Sequence, residues 1–187
     1  MKTLDTADSE EFLIFVERLR HFMNLWTIYT DMLTGHYVPS VGAGEESVFN
    51  PSATVMLVLY AYFYSLIEDS SDGLNAFRIW RKHFPEEEQA IAAVEAQVVP
   101  FRHDLRIFRN RLGFHGSKSR THESPGFDFF GNFTGDYTWN AMKNFKALAA
   151  ILLAKDMALT ASDEADLRKY RGWIDSIAER ARKQCGS

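Results

Sequence analysis

Apolar residues recur at steps of three and four positions through the first part of the chain. This stripe contains Phe12, Phe15, Val16, Leu19, Phe22, Met23, Trp26, Tyr29 and Leu33. Residues at that spacing lie on one face of an α-helix, so the pattern predicts a long amphipathic helix over 9–33. Ser9, followed by two glutamates, indicates the N-cap of this helix with acidic residues in its first turn.

A second stretch, from about residue 51 to residue 69, is apolar on nearly every side of a helix. Pro51 is tolerated at the first helical position, and either Asn50 or Ser52 can cap that end. The most apolar part, Ala53 to Ile67, is too short to cross a bilayer. We therefore predict a buried helix at the centre of the fold.

The remaining pattern predicts five more helices and two loops. The helices cover about 73–84, 86–98, 101–112, 138–158 and 162–183, the last opened by a cap at Ser162, Asp163 and Glu164, and the loops cover 35–50 and 116–137. We find no internal repeat and no linker. The sequence thus predicts one all-α domain over 1–187, an up-and-down bundle of about five to seven helices.

The predicted loop 116–137 is long for a connection inside a compact domain. Loops of about 20 residues are uncommon there, and they often carry function. This one contains four phenylalanines, Phe127, Phe129, Phe130 and Phe133. Leaving them in water is costly, so we expect the loop to pack on its own bundle or on a second subunit.

Composition limits the kind of protein that this chain encodes. The 187 residues are 46% hydrophobic and 25% charged, which is ordinary for one globular domain. A formal net charge of −4 excludes a polycation that coats nucleic acid or anionic lipid through bulk charge. The only cysteine, Cys185, favours a reducing, cytoplasmic location, and we expect no signal peptide because the first residues lack an apolar run.

Positive charge is nevertheless concentrated between Phe101 and Arg120. This segment, FRHDLRIFRNRLGFHGSKSR, has six lysines and arginines and a single acid, Asp104. An arginine guanidinium can donate a pair of hydrogen bonds to phosphate oxygens, and a histidine can exchange a proton near neutral pH. The segment therefore predicts an anion site. The alternative interpretation is a solvated helix face whose arginines pair with glutamates elsewhere.

The order of residues in this segment resembles the signature of the HEPN superfamily of helical-bundle proteins. In that signature an arginine, often followed by a polar residue, precedes a histidine by four to six intervening positions. The string RNRLGFH provides Arg109, Asn110 and His115, with five positions between the first and the last. Its position near the end of a helix, midway along a helical chain, agrees with the same family.

The resemblance implies metal-independent RNA cleavage without a cofactor. The ribose 2′-hydroxyl would attack the adjacent phosphorus, with His115 as general acid or base, Arg109 holding the phosphate oxygens and Asn110 orienting either group. The resemblance also implies an acid on the preceding long helix that faces the motif. Glu68 or Asp69 fits that description, although either residue can simply end its helix.

Other cations of the segment are candidates for binding RNA, namely Arg106, Arg111 and Lys118. A local interpretation of the motif stays open as well, because His115 can cap helix carbonyls and Asn110 can be a surface residue. We expect no metal site, since His103, Asp104, His115, His122 and Glu123 do not form the close histidine pairs of zinc-binding helices.

Helical geometry limits how the motif can assemble. Residues 109 and 115 are about 120° apart around an ideal helix and about 9 Å apart along it. Gly113 can end the helix and let His115 swing back, and the family commonly joins two motifs across a dimer interface. We therefore expect a homodimer. The resemblance also implies a toxin, phage-defence or stress-response setting, with an antitoxin as a candidate partner. A non-catalytic domain that binds nucleotide, RNA or protein, and a helical scaffold without a site, are the alternatives.

Overall fold

The computed structural model describes residues 6–34, 51–70, 73–109, 136–156 and 160–185, and these residues contain helices and no strand. In chain order the helices are α1 (Thr6–Leu33), α2 (Pro51–Ile67), α3 (Ala76–His83), α4 (Glu88–Val98), α5 (Arg102–Phe108), α6 (Asp136–Leu153) and α7 (Ala161–Cys185). Short 3₁₀ turns lie at Pro85–Glu87, Val99–Phe101 and Ala154–Asp156. The prediction of an all-α helical bundle is confirmed.

The core of the bundle is centred on Phe145 of α6. Its ring centroid lies 5.6 Å from Phe22 of α1, 5.0 Å from Phe63 of α2, and 5.7 and 4.9 Å from Phe77 and Trp80 of α3. All five side chains are almost fully buried. One aromatic cluster therefore joins four helices, and the three- and four-residue stripe of α1 supplies its share of that cluster.

The helices pack in two connected groups. Helix α1 lies against α2, α2 also contacts α5, and α4, α6 and α7 pack on one another. None of the helices in the described part of the chain is long and apolar enough to cross a membrane. The end of α2 and the end of α5 thus come together on one side of the core, where the sequence places its candidate residues.

Two predicted helix starts are wrong. Helix α1 already begins at Thr6, so Ser9 lies inside it. Helix α7 begins at Ala161, and its cap is Thr160, two positions before the predicted Ser162. The Thr160 hydroxyl accepts the backbone N–H of Asp163 at 3.2 Å, while the Asp163 carboxylate accepts the Thr160 N–H at 3.0 Å. This reciprocal arrangement is a capping box.

Proline changes the start of the two predicted helices in the middle of the chain. The predicted helix 86–98 begins as a 3₁₀ turn at Pro85–Glu87, and the predicted helix 101–112 is preceded by a second one at Val99–Phe101. A proline removes a backbone N–H and suits only the first turn of a helix, which explains both breaks. Residues 110–112 of the predicted helix lie outside the described residues.

The structure also shifts the boundaries of the helices that flank the site. Helix α2 ends at Ile67, before the predicted 69, and α3 begins at Ala76 after an Asn75 cap, later than the predicted 73. Helix α6 starts at Asp136, inside the predicted loop 116–137, and ends at Leu153, before the predicted 158. The loop 35–50 and the rest of the loop 116–137 lie outside the described residues.

Candidate functional site at the ends of α2 and α5

Asn75 holds the end of α2 against the start of α3. Its side-chain nitrogen donates to the backbone carbonyls of Ile67 and Glu68, each at 3.3 Å, and its side-chain oxygen accepts the N–H of Arg78 at 3.1 Å. The side chain is only 5% exposed. One buried amide therefore caps α3 and satisfies carbonyls at the end of α2, which fixes the backbone that carries Glu68.

Glu68 forms an ion pair with Arg109, which follows α5 with helical backbone angles. The distance from Arg109 Nη1 to Glu68 Oε2 is 3.0 Å, and the two side chains are 32% and 31% exposed. The Arg109 guanidinium carbon also lies 5.4 Å from the centre of the Tyr64 ring, within the range of a cation–π contact. Arg109 is thus held by two side chains of the α2 region.

Tyr64 completes this arrangement from one helical turn before Glu68. Its hydroxyl lies 3.5 Å from Glu68 Oε1. Burial raises the pKa of Tyr64, and the neighbouring Glu68 carboxylate raises it further, although Arg109 and Arg106 act in the opposite direction. The tyrosine is therefore a neutral hydroxyl at physiological pH, able to donate to the carboxylate that binds Arg109.

Asp69, the other candidate acid, pairs with a different arginine. Its carboxylate lies 3.3 Å from Arg102 Nη1, and Arg102 Nη2 is 3.6 Å from a Glu95 oxygen of α4. Among the described residues, Arg102 Nε and Nη2 are buried without a hydrogen-bond partner. The two adjacent acids thus face different cations, and Glu68 is the one beside Arg109.

A pocket of about 380 Å³ lies beside the ion pair of Arg109 and Glu68. Arg18 of α1 lines it from the opposite helix, together with Tyr62 and Ser65 of α2. Arg18 forms no ion pair with any residue that the structure describes. The pocket therefore brings two arginines and one carboxylate together, a local excess of one positive charge.

Neither Arg18 nor Tyr64 is among the site residues predicted from the sequence. Arg18 is 91 positions before Arg109 and carries no local signal, because it is one of several charged residues on the polar side of α1. Tyr64 belongs to the apolar stretch that predicts a buried helix, and it is indeed buried. It lies four positions before Glu68, the first residue beyond α2, and this short separation was the available signal.

Arg106, predicted to bind phosphate, is exposed near the end of α5 and forms no ion pair within the described part of the chain. Asn110, Arg111, His115 and Lys118 lie outside the described residues. The assembly of Arg109, Asn110 and His115 into one site therefore stays a prediction. Two arginines of the basic segment do pair with acids elsewhere, as the solvated-face interpretation expects.

No group of three or more metal-ligating side chains occurs among the described residues. Comparison of the chain with protein-family models, with curated proteins and with solved structures found no match.

Proposed function

We propose that the protein is a metal-independent RNA endonuclease that resembles the HEPN superfamily. The observation that supports this proposal most directly is the position of Arg109, which is held by Glu68 and by the Tyr64 ring beside a pocket with a second arginine. An arginine oriented before substrate arrives loses less rotamer freedom on binding phosphate. The acid that the family resemblance implies is Glu68.

The contact with Glu68 leaves Arg109 with capacity for a phosphate. A guanidinium has five N–H groups, and the ion pair uses Nη1. Phosphate can therefore take the remaining donors in a paired geometry while Glu68 keeps the group oriented. Arg106 on the same helix and Arg18 across the pocket add charge for the flanking backbone, and Arg111 and Lys118 are proposed to extend it.

In the proposed reaction a base removes the proton of the ribose 2′-hydroxyl, and the 2′-oxygen forms a bond to the adjacent phosphorus. The bond from phosphorus to the 5′-oxygen of the next nucleotide breaks, and an acid gives that oxygen a proton. His115 acts as general base or acid, Arg109 stabilises the charge on the non-bridging oxygens, and Asn110 orients the phosphate or the histidine. The products are a 2′,3′-cyclic phosphate and a 5′-hydroxyl.

We further propose a homodimer in which two copies of the motif face one cleft, so that one His115 is the base and the other the acid. A cytoplasmic enzyme of this kind suits a toxin or phage-defence role with an antitoxin that restrains it. Light scattering coupled to size-exclusion chromatography tests the dimer directly. A monomer at the concentration that gives cleavage contradicts this part of the proposal.

The activity is tested by incubating purified protein with mixed cellular RNA in EDTA. We expect the wild type to cleave, and Arg109→Ala and His115→Ala each to lose about 100-fold or more of the rate. Arg20→Ala is the matched control, because Arg20 is exposed on α1 beside Glu17 and does not line the pocket. Loss in the control, or cleavage that survives both site variants, contradicts the proposal.

Glu68→Gln tests the positioning role of the carboxylate. The amide keeps the shape of the side chain but loses the ion pair with Arg109, so we expect kcat to fall about tenfold with a smaller change in KM. Asp69→Asn is the matched control, since Asp69 pairs with Arg102. RNA binding without cleavage in the wild type favours the non-catalytic alternative, and the absence of both favours a scaffold.

A further inference from the structure

A second, larger pocket lies between the end of α4, α6 and α7. Its volume is about 640 Å³, within the range of 300 to 1,000 Å³ that is usual for small-molecule sites. It shares no lining residue with the pocket beside Arg109. Among the described residues, none of the cations of the basic segment lines it, so this pocket is not part of the site proposed for RNA.

The charge of this second pocket is positive. Lys143 of α6 and Arg180 of α7 line it, and none of its described lining residues is acidic. Neither cation forms an ion pair with a described residue, whereas the nearby Lys183 pairs with Glu179 on the exposed side of α7. Two cations that converge on a concave surface without a counter-ion favour an anionic ligand.

An amide pair lies in the same pocket. The Asn144 side-chain nitrogen donates to the Gln97 side-chain oxygen at 2.8 Å, which connects α6 to α4. This bond leaves the Gln97 nitrogen as a donor and the Asn144 oxygen as an acceptor, and neither has another partner among the described residues. A donor and an acceptor held side by side match the hydrogen-bonding edge of a nucleobase.

Aromatic rings supply the apolar part of the lining. Trp173 of α7 and Phe101, just before α5, both line the pocket, and the Lys143 nitrogen lies 4.3 Å from the centre of the Trp173 ring. Aromatic side chains beside cations are a usual environment for a base and its phosphate. The pocket therefore combines cations that suit a phosphate, an amide pair that suits the edge of a base, and aromatic rings that suit the face of a base.

We propose that this pocket binds a mononucleotide, with its phosphate at Lys143 and Arg180 and its base at the amide pair of Gln97 and Asn144. The site is independent of the proposed RNA cleavage, because it uses different helices and different residues. Bound nucleotide lies against Trp173, so binding changes the fluorescence of that tryptophan.

The test is isothermal titration calorimetry of the full chain with the four ribonucleoside 5′-monophosphates and with inorganic phosphate. We expect the wild type to bind at least one nucleotide, and to bind it more tightly than phosphate. The double variant Lys143→Gln and Arg180→Gln loses at least about tenfold in affinity. Lys183→Gln is the matched control and binds as the wild type does.

Asn144→Ala tests the contact with the base separately. This variant should keep the affinity for inorganic phosphate and lose the discrimination between the four nucleotides. Thermal unfolding of each variant establishes that it is folded before titration. The proposal is overturned if the wild type binds no nucleotide at about millimolar concentration, if phosphate binds as tightly as every nucleotide, or if the double variant binds as well as the wild type.

Discussion

Replacing Asn75 with alanine removes three hydrogen bonds at the junction that carries the candidate site. The side chain accepts the N–H of Arg78 as the cap of α3, and it donates to the carbonyls of Ile67 and Glu68 at the end of α2. Alanine can make none of these bonds. We therefore expect Asn75→Ala to destabilise the protein and to loosen the backbone that positions Glu68.

The expected loss of stability has two parts. Removing an N-cap acceptor costs about 1 kcal/mol. The bond to the Ile67 carbonyl is buried, so this oxygen loses a partner where water is scarce, and an unsatisfied buried acceptor costs about 1 to 3 kcal/mol. The Glu68 carbonyl is partly exposed, and water can replace much of its bond. Together these terms give a loss of about 2 to 4 kcal/mol.

Urea unfolding followed by tryptophan fluorescence measures this loss. With an m value of about 2 kcal/mol/M, the unfolding midpoint should fall by about 1 to 2 M, with m unchanged. Asn75→Ser keeps a cap acceptor, so we expect it to regain about 1 kcal/mol relative to alanine. Asn24→Ala is the control, because Asn24 is exposed on α1. A loss below about 0.5 kcal/mol for Asn75→Ala refutes this reasoning.

Two further predictions concern stability alone. Gly172 lies inside α7, and no atom lies within 4 Å of the position that an alanine methyl group would occupy. Gly172→Ala should therefore raise the free energy of unfolding, measured in urea, by about 0.5 to 1 kcal/mol. An unchanged or lower value contradicts this prediction. Hydrogen bonds from Arg171 lower the pKa of Glu87 below the ordinary glutamate value of 4.5. The ionised carboxylate therefore stabilises the fold at pH values above 4.5, and this contribution disappears as the pH falls through the folded-state pKa. Glu87→Gln should therefore be less stable than wild type at pH 7, with a difference that shrinks below pH 4.5; an equal difference at both pH values contradicts the prediction.

The helices could be predicted from the sequence because their signal is local. An apolar residue every three or four positions requires only that the chain bury one face, and Phe15, Leu19 and Phe22 are buried as that pattern expects. Helix ends depend on single side chains, which compete with their neighbours. Ser162 and Thr160 are both good caps, and the capping box selects Thr160 because Asp163 can return the bond.

The sequence alone could not predict which arginine each of the two candidate acids would contact. Glu68 and Asp69 are adjacent, and both lie beyond the last residue of α2, where helical periodicity no longer sets their directions. Their directions follow from Asn75, which binds the carbonyls of residues 67 and 68 and thereby sets the path of the chain after the helix. That contact spans seven and eight positions and depends on how α3 packs against α2.

Part of the positive charge of the basic segment is neutralised in the fold by acids from other elements. Arg102 contacts Asp69 and Glu95, and Arg109 contacts Glu68, so much of the local excess is neutralised by acids from α4 and the end of α2. The cation that restores a positive pocket is Arg18, which comes from α1. If this pocket binds phosphate, its affinity for phosphate therefore depends mainly on the distance between α1, which carries Arg18, and the end of α5, which carries Arg109. The number of arginines in the basic segment matters less.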